Sequence, residues 1–125
     1  MRALFSALSR WPRPYRIGLY GLACAVLLYL TLAPEHEVPG VGLIWDKAEH
    51  AISWAVLTGA GLVLSTRRRW AIGVFAFGFG GLIEVLQANM GWGRDGNWGD
   101  LAADSVGIAA AYLVWALMRR AGWVR

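Results

Sequence analysis

Four stretches of 16–18 residues without lysine, arginine or proline recur in this 125-residue chain, at 17–32, 48–65, 70–86 and 101–118. An α-helix rises about 1.5 Å per residue and a bilayer core is about 30 Å thick, so a spanning helix needs roughly 17–25 residues. Helices that are apolar all round need burial, and so short a chain has no shell of its own to bury four of them in water. The expected fold is therefore an all-α membrane protein. Four transmembrane helices, at 17–33, 47–65, 70–88 and 101–118, should form an antiparallel bundle, a single domain over residues 1–125. Composition agrees: 58% of residues are hydrophobic and 16% charged, against about 45–50% and 25% in soluble domains. Disorder, a collagen-like repeat and a disulfide scaffold are excluded, and the lone Cys24 forms neither an internal bridge nor a zinc ribbon.

The charges are sorted by position. Ten of the 12 basic residues (Arg2, Arg10, Arg13, Arg16, Arg67, Arg68, Arg69, Arg119, Arg120 and Arg125) fall at one set of span ends. Lys47 and Arg94 are the other two, and all eight acids lie at or near the opposite ends. By the positive-inside rule both termini are expected to be cytoplasmic. The formal charge of +4 and the pI of about 9.8 then read as a topology signal, and nucleic acid is not an expected partner. Trp11, Trp70, Trp115 and Trp123 should mark the inner interface, and Trp45, Trp92 and Trp98 the outer one. Before the first span, Leu4, Phe5, Leu8 and Trp11 alternate with Arg2 and Arg10, as in an interfacial segment. Proline at position 34, after Thr31-Leu32-Ala33, disfavours cleavage there, so the first span is expected to remain as an anchor.

Ionisable residues inside a span are costly and mark functional sites by default. Here they follow helical spacing: Asp46 and His50 are four apart, Glu84 and Gln87 three apart, and Asp100 and Asp104 four apart. Counting from the arginines at the other span ends, His50, Glu84 and Asp104 stand roughly 25, 22 and 22 Å away at about 1.5 Å per residue. Three helices thus place a titratable group at one level. Ala76, Gly80, Ala103 and Gly107 share those faces and should let the helices approach closely.

These residues carry a family resemblance. Asp46-Lys47-Ala48-Glu49-His50 matches the D-K-x-x-H of VanZ-like membrane proteins, and Glu84-Val85-Leu86-Gln87 matches their E-x-x-Q. Arg94, Asp100 and Gly107 match the R…D…G pattern near the last span, while Asp104 stands where the family has asparagine. The resemblance covers about residues 34–111. It implies a small integral protein of the bacterial cytoplasmic membrane, from a family associated with resistance to the glycopeptide teicoplanin.

The expected function is recognition of an anionic or polar cell-envelope component at the outer leaflet. Its site would comprise Asp46, Lys47, His50, Glu84, Gln87, Arg94, Asp100 and Asp104. Other readings use the same residues. Carboxylates with one imidazole suit a divalent metal, with Asp46, His50, Glu84, Asp100 and Asp104 as candidate ligands. Glu84 or His50 as a base, with Lys47 and Arg94 on a phosphate, would suit a hydrolase or transferase acting on a lipid-linked precursor. No nucleophile motif accompanies them; Ser53 and Ser105 are lone hydroxyls. In the purely structural reading, Asp46 pairs with Lys47 or Arg94, His50 bonds Glu84, and Asp100 caps the last span. Interhelical polar contacts average about 0.6 kcal/mol, so a level of six or seven polar groups exceeds what joining helices requires.

Overall fold

The computed structural model describes residues 1–33, 46–90 and 98–124, and these contain five helices and no strand. They are α1 (Arg2–Ser9), α2 (Arg13–Leu32), α3 (Asp46–Leu64), α4 (Arg69–Met90) and α5 (Trp98–Arg120). The four expected spans correspond to α2 to α5: α4 and α5 run past theirs by one to three residues at each end, whereas α2 and α3 start four and one residues earlier and stop one residue short. Pro12 and Pro14 start α2, where a missing N–H costs no helical bond. The far end of α5 closes on Gly122, whose φ of 70° permits a left-handed turn. There the Gly122 N–H donates to Arg119 O at 3.0 Å and the Trp123 N–H to Met118 O at 2.9 Å, a Schellman closure.

Residues 65–68 join α3 to α4, so the two form an antiparallel hairpin. Arginines satisfy the free carbonyls at the end of α3: Arg16 Nη1 donates to Leu64 O at 2.6 Å and Arg69 Nε to Leu62 O at 3.4 Å. The Arg69 guanidinium also lies 4.9 Å from the ring centroid of Trp115. Trp115 is therefore buried between helices, and does not stand in an outward aromatic belt as its position in sequence suggested.

Helix α3 is the centre of the bundle and packs against each of the other four helices. Its closest neighbour is α5, because Gly107 lets the two backbones meet. A Cβ at 107 would overlap the carbonyl oxygen of Ala51 and lie 2.9 Å from the Ala55 nitrogen. Trp54 is fully buried and donates its Nε1–H to Ala76 O on α4 at 2.8 Å. Around it pack Leu27, Leu57, Ala76 and Ile83. Farther along, the Tyr112 hydroxyl of α5 accepts from Gly73 N–H at 2.8 Å and donates to Arg69 O. That places it between the two groups that would close a turn of α4.

The outward faces are apolar. Ile17, Leu22, Val26 and Tyr29 on α2, Val74, Phe77 and Leu82 on α4, and Val106, Leu113 and Leu117 on α5 are all exposed. Surfaces this apolar are rare on soluble monomers. Three helices, Arg13–Leu32, Arg69–Asn89 and Trp98–Arg120, are long and apolar enough to cross a membrane. They suggest a membrane protein. The remaining expected span, α3, carries Asp46, Lys47, Glu49 and His50 in its first five residues and is not among those three.

The Gly107 contact yields a direct test. Gly107→Val should lower stability by about 1–3 kcal/mol through overpacking. Gly78→Ala, at a site with nothing within 4 Å of the new methyl, should leave it unchanged or slightly raised. Thermal unfolding of both variants in one detergent measures the difference.

Candidate functional site

At the end opposite the 65–68 connection, buried stripes of three helices carry the polar groups. The α5 stripe is Asp100, Asp104, Gly107, Ala111 and Trp115, spaced three or four residues apart. On α4 the corresponding side holds Ala76, Gly80, Ile83 and Glu84, and on α3 it holds His50 and Trp54 with the half-buried Lys47. Asp104 is completely buried, Glu84 is 4% exposed and His50 9%. Ligand-type atoms of His50, Glu84 and Asp104 all lie within 4.8 Å of one another.

The pairings are specific. His50 Nδ1 is 2.9 Å from Asp104 Oδ1, and Nε2 is 3.7 Å from Asp100 Oδ2. A proton on Nδ1 makes it the donor to Asp104, which leaves Nε2 of the neutral ring as an acceptor. Lys47 Nζ forms an ion pair with Asp100 Oδ1. Below the cluster, the His50 ring stacks on Trp54 (centroids 6.0 Å apart, 22° between planes), and Trp54 stacks on Phe79 at 6.2 Å. Gly80 gives Asp104 its room, since a methyl there would lie 2.7 Å from Oδ2 and 3.1 Å from Trp54 Nε1.

The structure thus gathers Lys47, His50, Glu84, Asp100 and Asp104. Gln87 goes elsewhere: its amide donates to Thr31 O at 2.7 Å, tying α4 to α2. Asp100 does not cap α5, because the helix begins earlier, at Trp98, and puts Asp100 inside its first turn. A negative charge there is favoured by the helix dipole, and its pairing is with Lys47 across to α3. His50 engages Asp104, the residue four beyond Asp100, with Glu84 in the same group. Arg94 and the side chain of Asp46 lie outside the described residues.

Two supporting residues have roles that spacing alone did not assign. Trp54 continues the Asp46/His50 interval by one further turn, a signal that could have marked it as the platform under the imidazole. Gly80 was legible as a small residue, but its service to Asp104 follows only from how α4 and α5 cross.

No family model, curated protein or solved structure matches the chain. What the arrangement can do therefore rests on its own chemistry. Three buried carboxylates beside one imidazole and one ammonium accept hydrogen bonds more readily than they donate them. Among the described residues, such a cluster favours a cation, a proton or a donor-rich polar group. Ligands at about 2 Å from a zinc ion lie roughly 3.3 Å apart, so modest side-chain adjustment from the 4.8 Å grouping would enclose one.

Substitution of Asp104 separates charge from shape. Asp104→Asn retains an oxygen and gains a donor for His50, and should change stability by less than about 1 kcal/mol. Asp104→Leu removes the partner of the buried ring and crowds Gly80, and should cost about 1–3 kcal/mol. Unfolding in detergent, with the imidazole signals of His50 followed by NMR, distinguishes the two.

Proposed function

We propose that the chain is a four-span protein of the bacterial cytoplasmic membrane with both ends in the cytoplasm. In this reading the buried cluster at the extracytoplasmic end recognises a polar component of the cell envelope. The observation that carries it is the convergence of His50, Glu84 and Asp104 from three helices to within 4.8 Å. Titratable groups buried at that depth are expensive, and function is the usual reason they persist. The carboxylates would take the ligand's donor groups, while Lys47 would face any anionic part. The D-K-x-x-H and E-x-x-Q motifs support a VanZ-like protein, and with it a contribution to teicoplanin resistance.

The test is growth. Expressed in a susceptible bacterium, the chain should raise the teicoplanin concentration that stops growth several-fold. Glu84→Gln and His50→Ala should each abolish the gain while the amount of protein in the membrane stays constant. Retention of the gain in both variants would remove the cluster from the function, and loss of the protein itself would mark the cluster as a structural joint.

A second reading is favoured by the donor set of one imidazole and two carboxylates. The cluster would then hold a divalent cation, and the protein would act as a hydrolase or transferase on a lipid-linked envelope precursor. Elemental analysis of the purified protein should then find about one zinc or similar ion per chain, reduced at least tenfold in His50→Ala. Metal content that is absent, or unaffected by the substitution, removes this reading.

A further inference from the structure

The opposite end of the bundle carries a second feature that the polar cluster does not use. A cavity of about 780 Å³ opens between the first turns of α2 and the 65–68 connection, and Arg13, Arg16, Arg67 and Arg68 line it. Its apolar side is formed by Ile17, Leu64 and Ile72. We propose that this cavity binds the phosphate of an anionic lipid headgroup.

Charge is the first argument. The sequence has no aspartate or glutamate in 1–34, 50–83 or 105–125, so the segments that build this end bring only positive side chains. Arg13, Arg67 and Arg68 are exposed, and the described carboxylates stand at the far end of the bundle. Four guanidinium groups around one opening repel one another, and a phosphate relieves that repulsion while offering bidentate acceptors.

Position on the helices is the second. Arg13 and Arg16 lie in the first turn of α2, and Arg69 opens α4 with no acid in its first turn. The N-terminal dipole of α2 adds positive potential there, while the carbonyls at the end of α3 are taken up by Arg16 and Arg69. Arg16 is held in place by bonds to Leu64 O (2.6 Å), Trp11 O (3.0 Å) and Thr66 Oγ1 (3.5 Å). Part of the rim is thus fixed before any ligand arrives.

The lipid source follows from what flanks the cavity. Trp11 and Trp70, each two residues along the chain from a lining arginine (Arg13 and Arg68), are 45% and 67% exposed, and exposed tryptophan at a span end marks the headgroup layer. An opening with an arginine rim and an apolar wall at that level fits a phosphate attached to glycerol and acyl chains. The inference rests on the membrane reading of the chain but not on the chemistry of the His50 cluster.

The experiment uses the full chain in a neutral detergent, with native mass spectrometry reporting bound lipid. Phosphatidylglycerol should be retained at least tenfold over phosphatidylcholine. The double substitution Arg67→Gln and Arg68→Gln should weaken phosphatidylglycerol binding about tenfold or more, because it removes two of the four basic groups near the anionic headgroup. Arg119→Gln with Arg120→Gln removes the same charge outside the cavity and should change binding less than twofold. Glu84→Gln should bind as the unmodified chain does, which separates this site from the polar cluster. If the first pair fails to fold by circular dichroism, Arg13→Gln replaces it, with at least threefold weakening expected. Equal retention of the two lipids, equal weakening by both arginine pairs, or full displacement by millimolar inorganic phosphate would each overturn the assignment.

Discussion

The contact between the backbones of α3 and α5 at Gly107 and Ala51 is the constraint on which the rest depends. It brings the first two turns of both helices side by side, so Lys47 meets Asp100 and His50 meets Asp104. With any side chain at 107 the axes would have to separate, and a 2.9 Å bond does not survive a shift of an ångström or more. The small residue therefore acts through distance. It makes buried polar groups affordable by ensuring that they reach one another.

Helix α4 completes the arrangement by fitting against this pair. Trp54 reaches Ala76 O, Gly80 makes way for Asp104, and Glu84 enters the group one turn later. The imidazole consequently sits on an aromatic platform with carboxylates on its open sides, a setting that limits how the ring can turn. Helix α2 stands farther out and is joined through Gln87 at one end and Arg16 at the other. Carboxylates collect at one end and guanidinium groups at the other, with an apolar girdle between them. The proposed polar-ligand site and the proposed lipid site use these two ends separately.

Much of the architecture was legible in advance, for identifiable reasons. Helical periodicity put Asp100, Asp104 and Gly107 on one stripe, and all three are buried. The arginines at 67–69 separate two expected spans, and the connection between α3 and α4 lies at 65–68. Other details were beyond periodicity. Gln87 shares a face with Glu84, yet the width of that face spans two neighbours, and Gln87 meets α2 while Glu84 meets α3 and α5. Trp115 looked like an interfacial residue because of its depth, but it lies on the buried α5 stripe against Arg69. Depth along a helix is read from counting residues, whereas direction around it depends on which neighbour is there.

The sequence by itself determined that the chain is helical, where its helices run, and which end gathers each sign of charge. Those properties follow from local spacing and from the cost of placing charge in an apolar medium. Tertiary structure alone decided the partners: His50 with Asp104, Asp100 with Lys47, Gln87 with Thr31. Partner choice depends on the relative rotation and crossing of helices, and these are set by contacts between residues distant in the chain, such as Gly107 against Ala51.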